Sequence, residues 1–204
     1  MITIIDYGLG NVKAFAHVYK KLGFQYKFAS RADDLQDATK IILPGVGAFD
    51  YAVERLQQSG MREVLEDLVL ERKVPVLGVC VGMQMLGLSS EEGKLPGLGW
   101  VNGVVRKFDE SILSHKACLP HMGWNNVTPP RENSLFQAVD TESRFYFLHS
   151  YYFQCQDAED AIAHTEYGRQ FSCAVNSGNI YGVQFHPEKS HQNGIQLLRN
   201  FGNL

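Results

Sequence analysis

A chain of 204 residues, 45% of them hydrophobic, is long enough to bury a sizeable core and is read as one domain over residues 1–204. Its 19 basic and 22 acidic residues leave a formal net charge of −3, which argues against nucleic acid or an anionic membrane as partner. No apolar run approaches the ~20 residues of a membrane span, and Met1–Asp6 lacks the basic start of a signal peptide. Cys80, Cys118, Cys155 and Cys173 have no metal-ligand spacing, so the expectation is a cytoplasmic protein with reduced thiols and no metal.

The first half reads as β–α–β units. Ile2–Asp6 is a predicted strand, and Gly8-Leu9-Gly10 a turn into a helix capped by Asn11, running to Leu22 with Gly23 just past its end. Ile41–Leu43 is a second strand that runs into the Gly-rich segment Pro44-Gly45-Val46-Gly47. A phosphate loop would need Lys-Ser or Lys-Thr after the glycines, and none follows. Val53, Leu56, Met61, Val64, Leu65 and Leu68 recur at helical spacing. Val74–Val79 is an apolar strand of the kind buried on both faces of a parallel sheet. The second half is richer in β runs, at Trp100–Phe108, Phe145–Phe153, Phe171–Asn176 and Ile180–Phe185. Ser177-Gly178-Asn179 is a hairpin-like turn, and His191–Phe201 reads as a closing helix. These elements predict a three-layer α/β fold around a mostly parallel central sheet with added antiparallel strands. Ligands of such sheets bind beyond the carboxyl ends of the strands.

Three segments carry chemistry. In Gly78-Val79-Cys80-Val81-Gly82 the cysteine is flanked by glycines between a strand and a helix, as a sharp nucleophile turn requires. A cysteine at a helix start is in a setting that favours thiolate. A free cysteine is more often an inert core residue, so the glycine frame is what singles out Cys80. His186-Pro187-Glu188 follows a β run. Pro187 keeps His186 extended, and residues two apart in an extended segment share a side, so Glu188 can orient the imidazole toward a thiol. Finally, Gly45 and Gly47, with the Val81 N–H, can present backbone donors to a developing oxyanion. Two glycines also make a peptide flip in this segment sterically cheap.

These segments resemble the triad-type, class I glutamine amidotransferases. Pro120-His121-Met122-Gly123-Trp124-Asn125, Tyr146-Phe147-Leu148-His149-Ser150-Tyr151 and Gly182–Ser190 narrow the resemblance to the glutaminase subunits of imidazole glycerol phosphate synthases, over essentially the whole chain. The resemblance implies that Cys80, His186 and Glu188 form a catalytic triad, with Gly45, Val46, Gly47 and Val81 as oxyanion hole. It further implies that Gln84, Glu92, His149, Ser150 and Tyr151 hold glutamine. By the same resemblance Asn11, Met122, Gly123, Trp124, Asn125, Tyr146 and Lys189 form the face that docks a (β/α)₈ cyclase subunit in a heterodimer, and no cofactor is needed. The elbow reads Cys-Val-Gly-Met-Gln where the family more often has Cys-Leu-Gly-Met-Gln. Three alternatives stand beside this reading. One is a related amidotransferase subunit feeding ammonia to another synthase, such as a sugar-amidating one of surface polysaccharide synthesis. The second is a cysteine peptidase on a similar elbow, and the third a catalytically dead regulatory subunit.

Overall fold

The computed structural model describes residues 1–112, 118–140 and 142–204. In chain order its elements are β1 (Ile2–Ile5), α1 (Val12–Lys21), β2 (Tyr26–Ala29), β3 (Lys40–Gly45), α2 (Phe49–Gln58), α3 (Arg62–Glu66), β4 (Val76–Cys80) and α4 (Val81–Met85). There follow β5 (Ser89–Ser90), β6 (Gly103–Lys107), β7 (His121–Asn126), β8 (Arg144–His149), β9 (Tyr151–Cys155), β10 (Ala161–Tyr167), β11 (Arg169–Ser177), β12 (Ile180–Val183) and α5 (His191–Asn203).

Ile2–Ile5 and Val76–Cys80 are buried at every position, as strands covered on both faces must be. They belong to a parallel array in the order β2-β1-β3-β4-β12, which continues through β11, β9, β6 and β5, with β10 paired to β11. The pairings of β11 with β12, β9 and β10, and of β6 with β9, are antiparallel, so the ten-stranded sheet is mixed. The chain runs from β1 to β2 in one direction and from β3 to β4 in the other. With right-handed crossovers this puts α1 and α2 on opposite faces. α5 packs beside α1, and α4 packs against α2 over β3, β4 and β12, which completes three layers.

The strand order reverses between β1 and β3, and the loops after their carboxyl ends meet there. A Cβ on Gly10 would lie 2.7 Å from the Pro44 side chain, so the start of α1 abuts the Gly45–Gly47 segment. Cys80 closes β4 on the same edge, and β12 runs parallel to β4 toward His186. The open end of a reversal in a parallel sheet is where ligands are accommodated.

Several boundaries differ from the sequence reading. Asn11 does cap α1, its Oδ1 accepting from Ala14 N at 3.2 Å, and Ser177 and Ile180 pair across the predicted turn. The helical periodicity of Val53–Leu68, by contrast, is broken at Gly60, where φ is +70°, into α2 and α3. Phe145–Phe153 is two strands in two sheets. The chain bends at Ser150, so β8 pairs with β7 while β9 joins the large sheet. β5, β7 and β10 carry too little apolar alternation to be read as strands from sequence, whereas β2 lies in the alternating run Phe24-Gln25-Tyr26-Lys27-Phe28, which the sequence reading passed over.

The approach of α4 to the sheet is set by missing side chains. A Cβ on Gly82 would lie 2.0 Å from the Leu43 carbonyl oxygen, and one on Gly78 would lie 2.7 Å from the Gly82 carbonyl oxygen. Both obstacles are backbone, which cannot swing away. Gly82→Ala is therefore expected to lower unfolding free energy by about 1–3 kcal/mol or more through overpacking, read as a lower denaturant midpoint. Unchanged stability would show that α4 has room to lift.

Candidate active site

Cys80 ends β4 with φ +57° and ψ −115°, a left-handed backbone that a residue with a Cβ adopts only under strain. The strain is imposed by the tight turn into α4, whose first residue is Val81. The turn holds the thiol at the floor of a cleft of about 280 Å³, lined among others by Val46, Gly47, Val81, Gln84, Glu92, His149, Ser150, Tyr151 and His186. A larger hollow of about 650 Å³ around Arg131, Asn133 and Gln137 contains no thiol or imidazole. The chemistry is therefore concentrated in the smaller cleft.

His186 is buried, and its Nδ1 donates to Glu188 Oε1 at 2.8 Å, which leaves Nε2 for Cys80. The partnership is as predicted, but its geometry is not. Pro187–Lys189 forms a short 3₁₀ turn, and Glu188 reaches the ring from that turn rather than along an extended strand. The backbone of His186 is tied to β8, its N–H donating to the Tyr146 carbonyl at 2.8 Å and its carbonyl accepting from Ser190 Oγ at 2.6 Å. Glu188 Oε2 is buried without a hydrogen-bond partner among the described residues. Its charge is therefore compensated mainly through the imidazolium. Burial alone would push His186 down, but the Cys80 and Glu188 side chains beside it prevail and raise it to about 10. The site thus favours a charged imidazole against a sulfur.

Gly45 pairs with Cys80 across β3 and β4, which brings Val46 and Gly47 to the rim beside the Cys80 thiol. Gly47 has φ +83° and nothing within 4 Å of a hypothetical Cβ, so the segment is open to solvent on that side and its backbone conformation is one that favours glycine. Glu92 lines the cleft with its carboxylate tied to the start of α2, accepting from Phe49 N at 2.9 Å. Gln84 is buried, with Nε2 donating to the Tyr151 carbonyl at 3.2 Å and to Gln184 Oε1 at 3.0 Å.

Sequence reasoning missed a pair of imidazoles beside this site. The β7–β8 register sets His121 opposite His149, and His121 Nδ1 lies 3.0 Å from His149 Nε2. The hydrogen-bond roles follow from chemistry. The Tyr151 carbonyl can only accept from His149 Nδ1, at 2.7 Å, so His149 Nε2 is an acceptor for His121 Nδ1–H. His121 Nε2 in turn faces the Asn125 amide at 3.4 Å. Burial pushes His121 down to about 4, and burial followed by the neighbouring His121 pushes His149 to about 3, so both stay neutral. No local pattern signals this pair, because it arises from strand pairing.

The expected docking residues divide. Met122 and Trp124 alternate outward on β7, 62% and 39% exposed, and pair with Leu148 and Tyr146 of β8. Lys189 Nζ lies 5.6 Å above the Tyr146 ring, and His191 stacks on Trp124. Gly123 sits among them at φ +127°, and Asn11 is exposed at the cap of α1. Asn125 differs. Its amide turns inward, donating to the Glu166 carbonyl at 2.7 Å, because alternate residues of β7 face opposite ways.

A strained cysteine, an imidazole and a carboxylate beside a glycine-rich segment are the parts that thiol-dependent acyl transfer of the amidotransferase class would use. The family model described as "Glutamine amidotransferase class-I" matches residues 3–203, and the chain belongs to that family. Among its relatives is the imidazole glycerol phosphate synthase subunit HisH of Bdellovibrio bacteriovorus, 58% identical over 204 residues, all of both chains. The subunit HisH of Leptospira interrogans is 53% identical over the same full length of both. A solved structure of PurLQS from Thermotoga maritima, 17% identical, shares the fold with a TM-score of 0.75 over 99% of this chain and 97% of that one.

The imidazoles give the protein two pH limbs. Free imidazole titrates near ~6.5; with His121 and His149 held at about 4 and 3, the unfolded state binds more protons as pH falls, and stability drops below about 6.5. His186 has the opposite sign. Its contribution is full below about 6.5 and is lost as pH rises toward about 10. Denaturant midpoints measured against pH should therefore show a shallower acid limb in His121→Gln, where His149 still contributes, and a shallower alkaline limb in Glu188→Gln, where Cys80 still supports the charged His186. Identical profiles in parent and variants would contradict the charge assignment.

Proposed function

We propose that this chain is the glutaminase subunit of an imidazole glycerol phosphate synthase, acting as a single cytoplasmic domain. It hydrolyses glutamine and passes the ammonia to a (β/α)₈ cyclase subunit in histidine biosynthesis. The observation that carries the chemistry is Cys80 in strained backbone beside a buried His186–Glu188 pair. Full-length identity of 58% to a HisH subunit favours this acceptor over sugar amidation. No helix of the described residues is long and apolar enough to cross a membrane. A cleft of about 280 Å³ suits an amino acid and leaves no room for a large phosphorylated acceptor, which is consistent with a separate partner.

In this reading the Cys80 thiolate adds to the side-chain carboxamide of glutamine, and backbone N–H groups of Val81 and the Gly45–Gly47 segment hold the oxyanion. His186 gives its proton to the departing nitrogen, which leaves as ammonia and a glutamyl thioester. The neutral imidazole then takes a proton from water, hydroxide adds to the thioester, and glutamate departs as the thiolate returns. Glu188 holds the ring and stabilises its charged form. Gln84, Glu92 and the His149–Tyr151 backbone hold the amino-acid end of the substrate. Met122, Gly123, Trp124, Tyr146 and Lys189, with Asn11 at the rim, carry the partner; Asn125 supports that face from within.

Cys80→Ala should abolish glutamine-dependent turnover by the assembled synthase while its reaction with added ammonium salt stays near normal. Retained glutaminase activity would refute the thioester route.

A missing oxyanion donor is worth about 10²–10³ in rate. The isolated chain should therefore hydrolyse glutamine at least that much more slowly than the complex with its acceptor bound. Equal rates would refute gating by the Gly45–Gly47 peptide. Trp124→Ala should weaken assembly by about tenfold or more, as loss of a central aromatic anchor does, read as the dissociation constant of the heterodimer. An unchanged constant would move the interface elsewhere.

A further inference from the structure

Gln184 is the one polar side chain in the run Val183–Phe185, and all three residues are completely buried. A buried amide is costly unless both of its ends are bonded. The parallel register pairs Val183 with Val79, so the next residue of each strand, Gln184 and Cys80, also lie side by side. Gln184 Nε2 donates to Cys80 Sγ at 3.8 Å, and its Oε1 accepts from Gln84 Nε2 at 3.0 Å.

The direction of that amide is forced by its neighbours. The Tyr151 carbonyl can only accept, so Gln84 presents its NH₂ there and to Gln184. Gln184 must then turn its oxygen toward Gln84, which leaves its NH₂ for the sulfur. His149, bonded to the same Tyr151 carbonyl, fixes the far end of the chain. On its other side the sulfur faces the Leu148 carbonyl at 3.9 Å, an acceptor that serves a thiol and repels a thiolate. The NH₂ of Gln184 is thus the neutral donor that favours the charged form.

We propose that Gln184 is a further catalytic residue of this site, its side-chain N–H holding the Cys80 sulfur as a thiolate in line with substrate, with Gln84 as the residue that positions it. The proposal rests on Cys80 being the nucleophile of glutamine hydrolysis. Gln184 does not line the substrate cleft, whereas Gln84 does. Its loss should therefore appear in kcat and not in KM.

Two variants of similar volume, Gln184→Leu and Gln184→Met, remove the N–H donor without introducing a carboxyl that burial would protonate into a new donor. Each is tested by iodoacetamide labelling of the full chain, with the exposed Cys118 and the buried Cys173 as internal controls. A hydrogen bond to a charged group is worth about tenfold to a hundredfold. Labelling of Cys80 and kcat of the assembled synthase should both fall by that factor, with KM for glutamine within about threefold of the parent. Cys118 should label at the parent rate and Cys173 should stay protected. Parent-like Cys80 labelling and kcat in both variants would overturn the proposal. Exposure of Cys173 in both would also overturn it, by assigning Gln184 to the core. Failure of the underlying reading looks different: Cys80→Ala would then still hydrolyse glutamine, whatever the Gln184 variants do.

Discussion

The Cβ-free contact between α4 and the strands beneath it is the constraint on which the remaining geometry depends. Leu43, Gly78 and Gly82 bring backbone against backbone, leaving the chain no gradual way to leave β4. The turn is therefore taken in one residue, and that residue is Cys80, held at φ +57°. Strain of this kind costs on the order of 1–3 kcal/mol and persists only where surrounding structure over-determines it. Here it is over-determined by a parallel core whose central strands are buried on both faces. What the protein obtains is a sulfur fixed beside the ends of β3 and β12, within reach of the Gly45–Gly47 backbone and of His186.

Around that sulfur the burial of polar groups follows two different rules. On one side, His186 and Glu188 are buried as a charged pair, and burial is tolerated because each compensates the other. On the other side, His121, His149, Gln84 and Gln184 are buried neutral, in a run of hydrogen bonds where each donor meets an acceptor. The neutral side orients without adding charge to that of the His186–Glu188 pair beside Cys80. On β8, Tyr146 pairs with the exposed Trp124 of β7 and its carbonyl accepts the His186 backbone N–H, so the proposed docking face and His186 are tied to one strand.

Features that depend on local chemistry were legible in the sequence. The glycines around Cys80, Pro187 beside His186, the Asn11 cap and the apolar strands each carry their reason in adjacent residues. Features created by long-range pairing were not. His121 and His149 meet only because β7 pairs with β8, and nothing near either residue announces it. The division of Phe145–Phe153 between two sheets is likewise decided by which strands wait on either side of Ser150. Gln184 did leave a trace, as a lone polar residue in an apolar run leading to His186. Periodicity reads such a run as strand and passes over the exception. Glu188 shows the reverse case, a partnership read from spacing and realised by a 3₁₀ turn instead of an extended strand.

The central claim is that the elbow makes one of four cysteines a nucleophile addressed by glutamine. The most direct measurement is peptide mass spectrometry after treating the assembled protein with an electrophilic diazoketone analogue of glutamine. The account predicts a single adduct, on Cys80, formed in step with loss of glutaminase activity and suppressed by excess glutamine. Adducts on the exposed Cys118 instead, or full loss of activity with Cys80 unmodified, would contradict it.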